Sequence, residues 1–342
     1  MTGDEENSMK IIVRTPNWIG DAILALPAIE SLKRNFPQAD IWLAANDWVR
    51  DLFVSAGASA KIIPLGRLHH LKILRTTADK IKESGFDIGL LMTNSFASAM
   101  LFYLAGIPER WGYRRDGRGL LLSKGVLWKE PLATSHHVHY YLGLLESLGL
   151  QTVTPEIRLS LTVEETDLAR KELAALDIDP EKPLVILNPG AAYGPAKRWP
   201  SARFAELAGM LQSRKNVEIL ITGSPAETAL AESIAAALPA RPKSLAGKTS
   251  LRRLLGIIGQ SALFVTNDSG PMHMANALRV PVVAIFGPTD PKITGPFHQP
   301  STVLKKDVAC WPCLYRNCPY DHRCMIQITP EEVFQACAAF LG

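Results

Sequence analysis

The chain reads as an α/β protein of two Rossmann-like domains, each built on a doubly wound parallel sheet. Three observations carry that reading. Its 342 residues exceed one ordinary core and suit two domains of roughly 150 residues each. Apolar strand runs alternate with helical stretches in both halves, and the alternation breaks in one charged connector over 155–179. The stretch Val265–Pro291 (VTNDSGPMHMANALRVPVVAIFGPTDP) compresses a strand end, a polar turn, a short helix, a second buried strand and a Gly-Pro turn. That spacing fits a helical crossover between parallel strands covered on both faces.

Taken in order, Lys10–Arg14 (KIIVR) is a buried strand feeding the turn Thr15–Asp21 and a helical run over Ala22–Asn35. Ile41–Ala44 and Lys61–Pro64 are the next strands, and a basic helix over Arg67–Glu83 leads to a strand at Ile88–Met92. The twenty residues Ile88–Ile107 carry no formal charge, long enough on paper to cross a bilayer. Thr93-Asn94-Ser95 interrupts them, so they read as strand, polar turn and helix. A helix over Val163–Leu176 lies in the connector. Leu184–Leu187 then ends in the turn Asn188-Pro189-Gly190, ahead of a helix over Ser201–Ser213. Val217–Thr222 ends in Gly223–Glu227 and an Ala-rich helix, and strands at Leu263–Val265 and Val280–Phe286 complete the set. The expected domains are 1–165 and 175–328, with a C-terminal helix (329–342) placed to pack back on the first. Ligands of such sheets bind outside the carboxyl ends of the strands, so a cleft walled by those turns is expected.

Composition excludes several classes. At 47% hydrophobic and 20% charged the chain is ordinary globular protein, and a net charge of +4 is too small to argue for nucleic acid. The start, MTGDEENSMK, is acidic and has no apolar h-region, so it is no signal peptide. It reads as a frayed extension, with folded chain from near Met9. A cytoplasmic protein able to touch a membrane surface is expected. Cys310, Cys313, Cys318 and Cys324 form C-x2-C-x4-C-x5-C, with Cys337 apart. In a chain without a secretory signal this suggests a structural metal knuckle more than disulfides, or reduced thiols in a Pro-rich loop.

Chemistry concentrates at the turns. Neither G-x-x-x-x-G-K-[ST] nor G-x-G-x-x-G occurs, so no P-loop or dinucleotide fingerprint is available. Asn267-Asp268-Ser269-Gly270 precedes a helix with Pro271 in its first turn. Such a start either binds a phosphate through free amides or is capped by Asp268 or Ser269. Lys197, in Lys197-Arg198-Trp199-Pro200, is the natural countercharge to a diphosphate, or a surface lysine. Glu227 could accept from ribose hydroxyls or serve the helix dipole. His273 could donate to a phosphate or sugar oxygen, or fill the core. In the first half Asp21 is placed as a general base or as an N-cap. Between Lys61 and Lys129 twelve Lys/Arg face five Asp/Glu, a local excess of +7. Arg110, Arg114, Arg115 and Arg118 crowd one Gly-rich loop, suited to a polyanion or to a solvated face.

Together, Ile11–Pro27 with Gly20-Asp21, Asn188–Pro200, Thr266–His273, Phe286–Pro291 and the Cys-rich tail with Ile328–Val333 carry a resemblance. The chain resembles the ADP-heptose:lipopolysaccharide heptosyltransferases of glycosyltransferase family 9, most of all the type II members. The resemblance implies a GT-B fold, with an acceptor-binding first domain and a donor-binding second domain facing across a cleft. It implies inverting transfer of L-glycero-D-manno-heptose from ADP-heptose to the heptose-Kdo inner core on lipid A, without a divalent metal or other cofactor. Transfer of a first or third heptose, or a nucleotide-sugar epimerase or hydrolase on the same fold, are the alternatives. Asp21 becomes the base and Lys197 the countercharge to departing ADP. Asn188, Gly190, Glu227, Asp268, Ser269, Gly270 and His273 become donor contacts. Asn17, Trp18 and the four loop arginines become acceptor contacts. A peripheral location at the inner membrane is implied. The segment Ala191–Ala196 lacks the adjacent threonines of some relatives, which leaves hydroxyl contacts there open.

Overall fold

A computed structural model describes residues 8–58, 61–66, 68, 70–128 and 134–342. The expected frayed extension before Ser8, together with Arg67 and Lys129 of the basic interval, lies outside the described residues. The chain divides into two compact units, Met1–Ile157 and Arg158–Gly342.

The first unit runs β1 (Lys10–Arg14), α1 (Ile19–Leu24), α2 (Leu26–Asn35), β2 (Asp40–Asn46), α3 (Asp47–Ser55) and β3 (Ile62–Leu65). It continues with α4 (Leu71–Glu83), β4 (Ile88–Leu91), α5 (Phe96–Leu104), β5 (Glu109–Tyr113), β6 (Lys124–Val126) and α6 (His137–Ser147). The strands form one sheet, ordered β3-β2-β1-β4-β5-β6, with every pair parallel. Helices cover both faces, which is why Ile11, Ile12 and Val13 are wholly buried and β1 reads as an unbroken apolar run. The apolar stretch from Ile88 resolves into β4 and the nine-residue α5. Among the described residues no helix is long and apolar enough to cross a membrane.

The second unit runs α7 (Val163–Ala175), β7 (Leu184–Asn188), α8 (Ser201–Lys215), β8 (Glu218–Ile221), α9 (Thr228–Ala236), β9 (Lys243–Ser244) and α10 (Leu251–Ile258). There follow β10 (Leu263–Asn267), α11 (Gly270–Ala277), β11 (Val282–Ile285), α12 (Pro291–Thr294), β12 (Ser301–Leu304), α13 (Arg323–Ile326) and α14 (Pro330–Leu341). Its sheet, β12-β11-β10-β7-β8-β9, repeats the topology of the first. In each sheet the first strand is central; two strands are added on one side and three on the other. The strand order therefore reverses between β1 and β4 and between β7 and β10, where the carboxyl-end turns diverge and leave room for a ligand.

Three expectations change. The unit boundary falls after Ile157, earlier than residue 165. Helix α7 packs on α10, with Ala169 against Gly256, and so belongs to the second unit. The C-terminal helix does not fit its expected place on the first domain: Val333, Phe334 and Cys337 of α14 join the core of the second unit with Trp199 and Phe204. A capping box of Thr329 and Glu332 starts that helix.

Candidate active site

At the reversal point of the second sheet, Asn188 ends β7 opposite Thr266 of β10. Its Nδ2 donates to Thr266 Oγ1 (3.2 Å) and Ser269 Oγ (3.3 Å), and its Oδ1 accepts from Thr222 Oγ1 (3.3 Å). The amide thus ties together the ends of three neighbouring strands beneath the site. Asn267 fixes the next turn, donating to Pro189 O (2.7 Å) and accepting from Trp199 N (3.0 Å). Trp199 is buried, so the Lys197 segment is anchored just before α8.

Lys197 and Asp268 are both buried, and Lys197 Nζ donates to Asp268 Oδ2. Thr289 Oγ1 donates to the same oxygen at 2.6 Å. Asp268 therefore does not cap α11. Ser269 occupies the N-cap position without a side-chain cap bond, and Pro271 lies in the first turn. An uncapped helix start beside a lysine has the parts of an anion site, since amide donors and one cation can together meet a diphosphate. The surface-lysine reading of Lys197 fails on its burial. His273 is buried one turn into α11, compatible with either of its readings.

Glu227 ends a 3-10 turn and completes a capping box, its Oε2 accepting from Ser224 N and Ser224 Oγ at 2.8 Å each. Its Oε1 faces Arg198 Nη2 at 3.7 Å. A Cβ built on Gly190 would lie 2.1 Å from the Glu227 carboxylate, so only glycine lets Glu227 reach this position. One oxygen of Glu227 is committed to its own turn and the other faces Arg198, which accounts for its structural reading.

In the first unit Asp21 is not an N-cap. It sits in the first turn of α1, whose N-cap is Trp18. Its carboxylate is 29% exposed and lies 3.5 Å from His137 Nδ1 on α6. Asn17 accepts from Arg14 Nη2 (2.6 Å) and Asn46 Nδ2 (2.9 Å), while Trp18 is exposed. The carboxyl end of β1 thus presents a solvent-accessible carboxylate on a rigid frame. Sequence reasoning missed both His137 and the buried Arg14 that orders Asn17. Neither lies in a motif; each is placed by contacts that only the fold supplies.

Comparison with known proteins decides the class. Residues 74–323 match glycosyltransferase family 9 (heptosyltransferase). The chain belongs to this family. It is 31% identical to lipopolysaccharide heptosyltransferase 2 of Escherichia coli K12, covering 97% of this chain and 99% of that one. To lipooligosaccharide heptosyltransferase 2 of Campylobacter jejuni 81116 it is 30% identical, covering 96% and 98%. Among solved structures it matches the E. coli ADP-heptose LPS heptosyltransferase II with a TM-score of 0.85 at 30% identity, covering 97% and 98%. The two-domain α/β GT-B architecture expected from the sequence is the one found.

In this family 9 glycosyltransferase the basic loop is not uniform. Arg118 is wholly buried. It donates from Nε to Tyr113 O (3.0 Å), from Nη1 to Thr93 O and from Nη2 to Asn94 Oδ1 (3.3 Å). Burial lowers its pKa to about 10, still charged at neutral pH. Arg110 is held by the carbonyls of Ile107, Pro108 and Leu121 and stacks on Tyr103. Exposed Arg114 and Arg115 flank an open depression with Asp116 and Leu120, and Arg115 stacks on Trp128. Of the four arginines expected to meet an acceptor, Arg110 and Arg118 are thus committed to carbonyl and amide oxygens of their own unit, and only Arg114 and Arg115 are exposed. Arg118→Ala should lower stability by about 1–3 kcal/mol, because buried carbonyls lose their donor. Arg115→Ala should change stability by less than about 0.5 kcal/mol and weaken acceptor binding instead. Thermal midpoints of the two variants check this.

Of the two readings of the cysteine segment, the described residues agree with reduced thiols. All five cysteines are free, and Cys310, Cys313, Cys318 and Cys324 line one small pocket with Asp321 and His322. Among the described residues, however, no three His, Cys, Asp or Glu side chains are grouped to hold a metal ion. Burial, then the neighbouring thiols Cys318, Cys313 and Cys310, raise the pKa of Cys324, which favours the neutral thiol.

Proposed function

We infer that this glycosyltransferase transfers a heptosyl group from ADP-heptose to the inner core of lipopolysaccharide, and that it adds the second heptose. One observation carries the reading: the paired Lys197 and Asp268 beside the uncapped start of α11, in a chain 31% identical to a heptosyltransferase 2 over nearly its whole length.

Inverting transfer is an in-line displacement at the anomeric carbon. It needs a base on one side and a stabilised leaving group on the other. Asp21 takes the acceptor proton. The amides of Ser269 and Gly270 and the Lys197 ammonium stabilise the departing diphosphate, supplying positive charge where a divalent cation would otherwise be needed. Asp268 holds heptose hydroxyls, Glu227 the ribose, and His273 a phosphate or sugar oxygen. Asn17, Trp18, Arg114 and Arg115 face the phosphorylated, Kdo-bearing acceptor, with the first unit binding acceptor and the second donor. Because that acceptor is anchored on lipid A, the working location is peripheral, at the cytoplasmic face of the inner membrane.

The test is an assay of ADP-heptose with core acceptors carrying zero, one or two heptoses. Transfer to the one-heptose acceptor alone is expected. Transfer to the zero- or two-heptose acceptor instead would reassign the enzyme to the first or third heptose. Donor consumption without any acceptor would point to an epimerase or hydrolase.

A further inference from the structure

The cysteine-rich segment has no role in the transfer chemistry proposed above, yet it is bonded to both loops that build the proposed donor site. Toward the Lys197 loop, Ala196 N donates to Arg316 O (3.0 Å) and Tyr193 Oη donates to Leu314 O (2.6 Å). A ring nitrogen of His322 lies 2.7 Å from Ala196 O. A Cβ on Gly194 would come within 2.4 Å of Arg316 O, so the two backbones touch. The Tyr193 ring braced in this way lies under Lys197 Nζ, 4.6 Å from its centroid. Toward the other loop, Leu314 N donates to Pro288 O (3.0 Å) and Trp311 Nε1 to Thr289 O (3.2 Å). Thr289 is itself buried and donates to Asp268 Oδ2 at 2.6 Å.

Asp268 Oδ2 therefore has two donors, Lys197 and Thr289. If Lys197 turns to a diphosphate, as the reading above requires, its hold on Asp268 is divided. A buried carboxylate stripped of its partners is strongly disfavoured. The remaining donor is a hydroxyl on a backbone pinned by Trp311. We propose that Thr289 is a positioning residue for the donor: clamped by the cysteine-rich segment, it keeps Asp268 aimed at the sugar while Lys197 serves the leaving group. The segment of C-x2-C-x4-C-x5-C is then a buttress of the donor site. This inference rests on the heptosyl-transfer reading for the roles of Asp268 and Lys197.

Thr289→Val removes the hydroxyl and keeps the shape; Thr289→Ser keeps the hydroxyl. With Thr289→Val, kcat/KM for ADP-heptose should fall about 10- to 100-fold, the range for a hydrogen bond to a charged group. The inhibition constant of ADP, which has no heptose for Asp268 to hold, should stay within about 3-fold, less than the loss of one neutral hydrogen bond. Thr289→Ser should recover most of the loss. Trp311→Phe, which keeps the ring and removes its N–H, should shift kcat/KM the same way by a smaller factor; it serves in place of Thr289→Val if that variant does not fold. The inference is overturned if Thr289→Val matches wild type, if ADP affinity falls in parallel with ADP-heptose, or if serine fails to rescue. Absence of heptosyl transfer by the wild-type enzyme would instead sink the reading on which this rests, and the inference with it.

Discussion

Asp21→Asn should reduce heptosyl transfer by about 10²- to 10⁴-fold, the contribution of a positioned general base, and leave ADP affinity at the wild-type level. The substitution is nearly isosteric, and α1 does not use this side chain as its cap, so the fold has no reason to change. The partly exposed carboxylate near His137 can accept a proton and pass it to water or to the imidazole; an amide in its place cannot. ADP contacts are assigned to the second unit, so calorimetry with ADP serves as the internal control. The measurement is kcat at saturating donor and acceptor, beside the thermal midpoint. Turnover within a few-fold of wild type, with the midpoint unchanged, would remove Asp21 from the chemistry. A loss of ADP binding would mean that the two roles are not separated as proposed.

Much of the candidate site in the second unit was legible because it is written locally. Apolar β-type runs followed by Asn-Pro-Gly, Gly-Ser-Pro or Asn-Asp-Ser-Gly mark strand ends before helices. The parallel-sheet rule then places those ends at one edge of the sheet. Asn188, Lys197 and Asp268 come together for that reason. What escaped is what long-range contact decides. Arg118 sits in a Gly-rich basic loop and looks solvated, but its guanidinium spans Tyr113 O, Thr93 O and Asn94, partners up to 25 residues away. Thr289 was visible only as part of a turn; its bond to Asp268 crosses from the end of β11 to the end of β10. Strands β5 (ERWGY) and β6 (KGV) were missed because charge and glycine obscure alternation in short strands toward the sheet edge. The cysteines stayed open between two readings because spacing alone cannot tell thiols converging on a metal from thiols lining a loop.

Lys197→Met should damage the protein in two separable ways. Lys197 and Asp268 are a buried ion pair, and removing one member of such a pair costs about 3–5 kcal/mol because the other charge is stranded. Thr289 still donates to Asp268, which places the expected loss toward the lower end. Methionine fills most of the lysine volume, so little of the loss should come from a cavity. Transfer should fall by about 10²- to 10³-fold, the scale for removing one donor to developing charge. The double variant Lys197→Met/Asp268→Asn separates the effects. With the carboxylate replaced by an amide that can still accept from Thr289, most of the lost stability should return. Activity should not, since neither the countercharge to the diphosphate nor the carboxylate for the sugar is restored. Denaturant midpoints of the two single variants and the double, set in a cycle, read the first effect, and kcat reads the second. A double variant as unstable as Lys197→Met would show that the stranded charge is not the cause. Recovery of turnover alongside stability would show that Lys197 acts only by holding Asp268 and that the diphosphate is neutralised by the helix amides alone.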